Sequence, residues 1–328
     1  MDPIDLETAR RLIDFSGGNK ALTSLAAVQV EGAVALQNMI CDQEIGLAYL
    51  ADEVGMGKTY IALGVVAMMR YFNPMLRVLY ICPSRNVQEK WVREYKGFIR
   101  NNVRVNQGRI RTREGRIAAP YKSCRNVVGL LHDAASGYYA DFFIGKGSFS
   151  ISLSDDVTAW EKKREELKAL IPAHEWKGII KSKYDVKEQY ARALNYILPT
   201  FDLVVIDEAH NFKHNFESSD RNKVLSGVLG FREGQGYLQR ARHALLLSAT
   251  PYDRDLTQLR NQLNMVGRLD LLPEEMNDGD NDLVREKLKR FLVRRLNTLK
   301  VNGEVLTRNM YRREWRKGCR AEILLETG

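Results

Sequence analysis

The stretch Leu50-Ala51-Asp52-Glu53-Val54-Gly55-Met56-Gly57-Lys58-Thr59 combines a glycine-spaced turn with a lysine and a hydroxyl. These types suit a phosphate. Gly55 and Gly57 allow a tight turn and bring backbone amides close to phosphate oxygens. A helix starting near Lys58 adds its free amides and the positive end of its dipole. Lys58 is then placed for the outer phosphates of a nucleoside triphosphate, and Thr59 for the magnesium ion. The strict phosphate-loop pattern has a glycine where this chain has Asp52. Read alone, the stretch also fits an ordinary strand–turn–helix corner.

A second constellation is Asp207-Glu208-Ala209-His210, directly after the apolar run Leu203-Val204-Val205-Ile206. Two acids behind a buried strand are costly unless something compensates them. Magnesium on a nucleotide does so, with Asp207 completing its shell largely through waters. Glu208 is then placed to orient or deprotonate an attacking water. The competing reading is a pair of solvated acids at a strand end, which the upstream turn disfavours. His210 and His214 have metal-ligand spacing. They lack an acid ligand set and the His-Glu-x-x-His order, so zinc is disfavoured.

Strands must carry these residues. Gly46–Tyr49, Arg77–Pro83, Phe201–Glu208 and Ala244–Pro251 read as buried parallel strands. Asp141–Ile144 and Ser148–Ile151 are shorter strand candidates. Amphipathic helices are expected over 1–17, over 24–41, after Lys58, and after Ser84, where Val87, Trp91, Tyr95 and Phe98 recur at helical spacing. Residues 154–199 read as a helical insertion on the surface, its helices opened by capping boxes at Thr158–Glu161 and Asp185–Glu188. The acidic stretch 274–282 reads as a solvated loop. The alternation predicts an α/β fold, a phosphate-loop parallel sheet sandwiched by helices. Ligands in such sheets bind at the carboxyl ends of the strands. Clusters 52–59, 207–210 and 248–250 all follow strands, so the architecture puts them on one rim.

The chain has 328 residues, 45% hydrophobic and 28% charged, with a net charge of +9. Its basic charge is concentrated. Residues 100–125 hold eight Lys and Arg against Glu114, and 285–320 hold thirteen against Glu286, Glu304 and Glu314. Each could be a solvated face; together they favour a nucleic-acid surface. Cys41, Cys82, Cys124 and Cys319 form no Cys-x-x-Cys pair, so free thiols in a reducing compartment are expected. The acidic start Met1–Asp5 has no signal-peptide pattern, and no apolar run nears the ~20 residues of a membrane span. A soluble, intracellular protein is expected.

Taken in order, the motifs resemble helicase superfamily 2. Asp52–Thr59, then Asp-Glu-Ala-His at 207–210, then Ser248-Ala249-Thr250 carry the resemblance. Within it, the chain is similar to the Swi/Snf-like DNA-translocase branch, which opens its loop with Asp-Glu as Asp52-Glu53 do here. Val28-Gln29-Val30-Glu31-Gly32 resembles that branch's glutamine motif. Cys82-Pro83-Ser84 through Trp91 resembles the motif whose helix start grips a nucleic-acid phosphate. Asp255–Val266 and Arg290–Arg295 also fit the branch, the latter ending the first lobe. Ser-Ala-Thr is a departure, since most of the branch has Thr-Gly-Thr and other branches have Ser-Ala-Thr. The resemblance covers roughly residues 25–296.

It implies a RecA-like first lobe over 24–296, a helical extension over 1–23, and a basic linker over 297–328 toward a second lobe that this stretch does not contain. It implies ATP and Mg2+ as cofactors, held by Gln29, Glu53, Val54, Gly55, Met56, Gly57, Lys58, Thr59 and Tyr60. Gln29 would read the adenine edge. Lys58, Asp207 and Glu208 would be catalytic, with Thr59 and Asp207 toward the metal. Pro83, Ser84 and Arg85 would meet nucleic acid, and Ser248 and Thr250 would couple the two sites. The implied function is the ATP-hydrolysing motor of a double-stranded-DNA translocase, poorly active without its second lobe. An RNA-directed helicase and a nucleotide-gated adaptor are the alternatives. The tail Thr307–Trp315 points toward a prokaryotic, cytoplasmic protein acting in defence against foreign DNA.

Overall fold

The computed structural model describes residues 2–53, 55–104, 121–151, 153, 156–172, 176, 181–232, 236–252, 256–273, 281–295, 298–301 and 304–307. In chain order, α1 (Leu6–Leu12) and α2 (Thr23–Cys41) precede β1 (Leu47–Leu50) and α3 (Lys58–Phe72). Then come β2 (Val78–Cys82), α4 (Arg85–Asn101), β3 (Tyr121–Ser123), α5 (Val127–Ala135) and β4 (Asp141–Gly145). Helices α6 (Val157–Leu170) and α7 (Lys183–Ile197) lead to β5 (Phe201–Asp207), α8 (Asp220–Leu229) and β6 (Ala241–Leu247). The order closes with α9 (Thr257–Met265), α10 (Asn281–Phe291), β7 (Leu292–Val293) and the antiparallel pair β8 (Thr298–Val301) and β9 (Glu304–Thr307).

Strands β1–β7 form one sheet in the order β3-β4-β2-β5-β6-β1-β7, and all its pairings are parallel. Crossover helices cover both faces, as the expected α/β sandwich requires. Successive strand residues alternate between two cores. Leu47, Tyr49, Leu79, Ile81, Val204 and Ile206 face α5–α10, while Ala48, Leu50, Val78, Tyr80, Leu203 and Val205 face α1–α4. The run Ile61–Arg70 is buried throughout, so α3 lies inside the molecule rather than on it. Its Arg70 pairs with the fully buried Asp141 at 3.0 Å, and Tyr95 Oη donates to the same carboxylate at 2.7 Å.

Several local expectations need correction. The helix expected over 1–17 spans only Leu6–Leu12, because Asp5 caps it at Thr8 and Ile13 is already extended. Ser148–Ile151 is not a strand; Lys146–Phe149 forms a single 3-10 turn that buries Phe149. The caps fall earlier than expected, at Asp156 for α6 and at a Ser182/Asp185 box for α7. Nor is 154–199 all surface. Helix α7 buries Val186, Tyr190, Ala191 and Leu194 in the core beside α8. Strands β3 and β7 and the pair β8–β9 were not anticipated; β3 and β7 are two or three residues long, too short for periodicity to register. Among the described cysteines, Cys41, Cys82 and Cys124 are free thiols. No helix among the described residues is long and apolar enough to cross a membrane. Most of 100–125, residues 274–280 of the stretch expected as a solvated loop, and residues from 308 on lie outside the described residues, as does Cys319, while the last two of that stretch, Asn281 and Asp282, open α10.

Candidate nucleotide site

The sheet register brings the clusters together. Leu50, Leu247 and Asp207 stand side by side at the carboxyl ends of β1, β6 and β5. The next residues therefore leave the sheet on one rim: Ala51 toward the glycine turn, Ser248 between, and Glu208 beyond. Ser248 N–H donates to Leu50 C=O at 3.1 Å, which ties the first two together.

The turn has the backbone its glycines allow. Gly55 (φ +95°) and Gly57 (φ +78°) are left-handed, and Gly57 caps α3 at Lys58. Lys58 is folded back, its Nζ donating to the carbonyls of Asp52 at 3.0 Å and Glu53 at 3.3 Å. Burial lowers its pKa, against the raising effect of Glu208, Asp52 and Asp207. Those charges place the ammonium in the field of both acids across the rim. Met56 is buried, Thr59 and Tyr60 are half-buried, and Glu53 is buried. Val54 lies outside the described residues.

Gln29 comes from α2 and reaches the same turn. Its Nε2 donates to Met56 C=O at 3.0 Å, and a Cβ at Gly57 would stand 2.3 Å from that nitrogen. Beside it opens a cleft of about 380 Å³ lined by Gly17, Asn19, Leu22, Leu25, Gln29 and Tyr60. The loop after α1 supplies one wall of that cleft. Sequence reasoning did not assign that loop.

Asp207 is half-buried at the end of β5. Trp91 Nε1 donates to its Oδ2 at 2.8 Å and Glu208 N–H to its Oδ1 at 3.0 Å. Burial raises its pKa, and the Trp91 hydrogen bond opposes that. Both oxygens keep lone pairs for metal-bound waters. The Asp207 carboxylate and the Thr59 hydroxyl offer oxygen donors only, the chemistry that suits a magnesium ion keeping several waters and phosphate ligands.

Glu208 has φ +52°, the one left-handed non-glycine among the described residues. Such a conformation costs energy and marks a place where the surroundings impose it. His210 Nδ1 stands 3.2 Å from Glu208 Oε2 and 2.9 Å from Ser248 Oγ. The ring thus engages the acid and the third motif rather than reaching toward His214, which is exposed. Ser248 is fully buried and its Oγ accepts from Thr250 N–H at 3.2 Å, while Thr250 itself is exposed. Behind Ser248, Tyr49 Oη donates to Gln262 Oε1 at 2.6 Å, and Gln262 Nε2 to Pro251 C=O at 2.6 Å. This link from β1 to α9 had no sequence signal.

Pro83, Ser84 and Arg85 leave the end of β2 on the same rim. They line a separate cleft of about 330 Å³ with Gln88, Ser123 and Arg125. Ser84 caps α4, its Oγ accepting from Val87 N–H at 3.4 Å.

Asp52, which stands where the loop pattern has glycine, has a partner. Arg295 makes a bidentate ion pair with its fully buried carboxylate, Nε lying 3.2 Å from Oδ1 and 3.1 Å from Oδ2.

A protein-family comparison matches residues 23–253 to the family described as type III restriction enzyme, res subunit. No curated protein matches the chain. Among solved structures, the Sulfolobus solfataricus SWI2/SNF2 ATPase core in complex with dsDNA matches 82% of this chain and 43% of its own, at 15% identity and a TM-score of 0.45. A nuclease-deletion mutant of the type ISP restriction-modification enzyme LlaGI, with a DNA substrate mimic, matches 70% and 16%, at 16% identity and 0.36. Mss116p bound to ssRNA and AMP-PNP matches 81% and 44%, at 15% identity and 0.43. The chain thus spans less than half the length of these proteins. With the family model covering more than two thirds of it, the chain belongs to the type III restriction enzyme res-subunit family and is a superfamily 2 helicase-type ATPase domain.

Proposed function

We propose that this chain is the ATP-binding motor lobe of a Swi/Snf-like superfamily 2 translocase acting on double-stranded DNA. The observation that carries this reading is the row Leu50–Leu247–Asp207, which sets the lysine turn, Ser248 and the paired acids on one rim. In this reading residues 24–296 are the first RecA-like lobe and 297–328 lead toward a second. Lys58 leaves the Asp52 and Glu53 carbonyls for the outer phosphates of ATP. Thr59 and Asp207 hold the magnesium ion, and Glu208 orients the attacking water. Gln29 and the cleft beside it take the base, and His210 with Ser248 and Thr250 relays the state of Glu208 toward the nucleic-acid groove at Pro83–Arg85. A second lobe closes the site, since an arginine from such a partner is worth ~10³–10⁵ in rate.

The test is equilibrium binding of a non-hydrolysable ATP mimic with magnesium to parent and Lys58→Ala chains. Binding by the parent and its loss in the variant are expected; equal binding by both would falsify the reading. Robust nucleic-acid-stimulated turnover by the 328-residue chain alone would remove the need for a second lobe. Ser248-Ala249-Thr250 favours a second reading, an RNA-directed helicase. Competition between duplex DNA and duplex RNA at one fixed salt concentration separates the two.

A further inference from the structure

Asp52 occupies the position where the phosphate-loop pattern has glycine, and it works in two directions. Its carbonyl accepts from Lys58 Nζ, while its carboxylate takes the Arg295 guanidinium. Arg295 N–H also donates to Asp52 Oδ1, at 2.8 Å. The guanidinium further donates to Val28 C=O and lies flat over Gly32, where a Cβ would meet it at 2.5 Å. The backbone follows the same path. Strand β7 pairs with β1, Ala51 N–H donates to Val293 C=O at 2.7 Å, and Glu53 N–H lies 3.5 Å from Arg295 C=O. The segment after α10 is thus strapped along the start of the glycine turn.

Deepening the function proposed above, we infer that Arg295 is a positioning residue of the nucleotide site. It holds the Asp52 carboxylate away from Lys58, and it ties the turn to the segment that follows β7. The physical reason is competition for one ammonium. A carboxylate as buried as Asp52 needs a cation. Without Arg295, the cation left in its field is Lys58, already on the carbonyl of the same residue. A Lys58–Asp52 pair would draw the ammonium back from a phosphate. The strap also makes the coupling reciprocal: moving Lys58 onto a nucleotide perturbs the peptide that Arg295 grips, and displacing Arg295 changes nucleotide affinity.

The test compares parent, Arg295→Gln, Asp52→Asn and the double variant of the 328-residue chain. One readout is affinity for a fluorescent ATP mimic with magnesium; the other is amide exchange without ligand. Arg295→Gln is expected to weaken binding about tenfold, and the double variant to return within about threefold of parent, because the competing charge is gone. Exchange at 52–57 in unliganded Arg295→Gln should rise about tenfold while β2 and β5 stay unchanged. A merely structural Arg295 would not be rescued by removing Asp52's charge. Parent-like affinity, unchanged exchange at 52–57, or a double variant no better than the single one each overturns the assignment. Should Arg295→Gln not fold, Arg295→Lys keeps a cation beside Asp52 without the fork; affinity within about threefold of parent is expected there, and a loss of about tenfold or more overturns the charge competition. A parent chain that binds no nucleotide sinks the nucleotide-site reading alone, since the exchange comparison still decides Arg295.

Discussion

Asp52 and Arg295 stand 243 residues apart in sequence and face each other across a bidentate ion pair, the carboxylate fully buried and the guanidinium half-buried. Closing so long a loop onto one carboxylate joins the first and last strands of the sheet edge. Removing one member of a buried pair strands the other. We predict that Asp52→Ala lowers stability by about 3 kcal/mol. Urea denaturation at neutral pH checks this; a loss under about 0.5 kcal/mol would mean Arg295 finds solvent freely.

The two turn glycines should differ in what they tolerate. Both are left-handed, but an added Cβ at Gly55 meets open space, whereas at Gly57 it meets Gln29 Nε2. Gly55→Ala carries backbone strain of about 1–2 kcal/mol. Gly57→Ala carries that strain and also expels Gln29 from Met56. We expect nucleotide binding to fall further in Gly57→Ala than in Gly55→Ala, by about tenfold or more. Titration with a fluorescent ATP mimic decides it, and equal losses would contradict the packing.

Asp207 gives a pH-dependent prediction. Its folded pKa is raised above the ordinary 3.8, with burial the leading cause. The protonated form therefore favours the fold. That contribution is present below pH 3.8 and is lost as pH rises through the folded value, so at neutral pH the ionised carboxylate costs stability. Asp207→Asn should raise the melting temperature of the unliganded chain by roughly 2–4 °C at neutral pH. The gain should shrink toward zero below pH 3.8. A variant that melts lower than parent at pH 7 would refute the sign.

Trp91 should act through the same carboxylate. Its indole N–H is the main group holding the Asp207 pKa down. Trp91→Phe removes the donor and keeps most of the buried ring. The carboxyl then titrates higher, so magnesium-dependent binding of the ATP mimic should move its acid midpoint to higher pH. An unshifted midpoint, with the variant folded, would mean that Asp207 does not set the metal's pH dependence.

Glu208 carries the proposal's chemistry. Glu208→Gln keeps a side chain of the same shape at this strained position. In the presence of a second lobe, it should bind nucleotide like the parent and lose about 10²–10⁴ in turnover. Single-turnover hydrolysis measures this directly. Intact turnover would reassign the base.

The sequence by itself determined the sheet strands that carry chemistry, because buried parallel strands are continuous apolar runs and each is followed at once by its polar cluster. The placing of Lys58, Asp207, Glu208 and Ser248 on one rim was legible for that reason: each follows closely on a strand end. The family model covering 23–253 agrees with that reading of the fold. Tertiary structure alone decided what meets across the sheet. Trp91 on Asp207, Gln29 on Met56, Tyr49 on Gln262 and the 14–19 loop beside Gln29 depend on which helix crosses which strand, and no spacing encodes that. The strongest case is Asp52. In sequence Asp52 belongs to one motif and Arg295 ends another, and nothing in either pairs them. Only the pairing of β7 with β1 brings them together, and a side chain's partner in a parallel sheet is chosen by strand order, which periodicity cannot report.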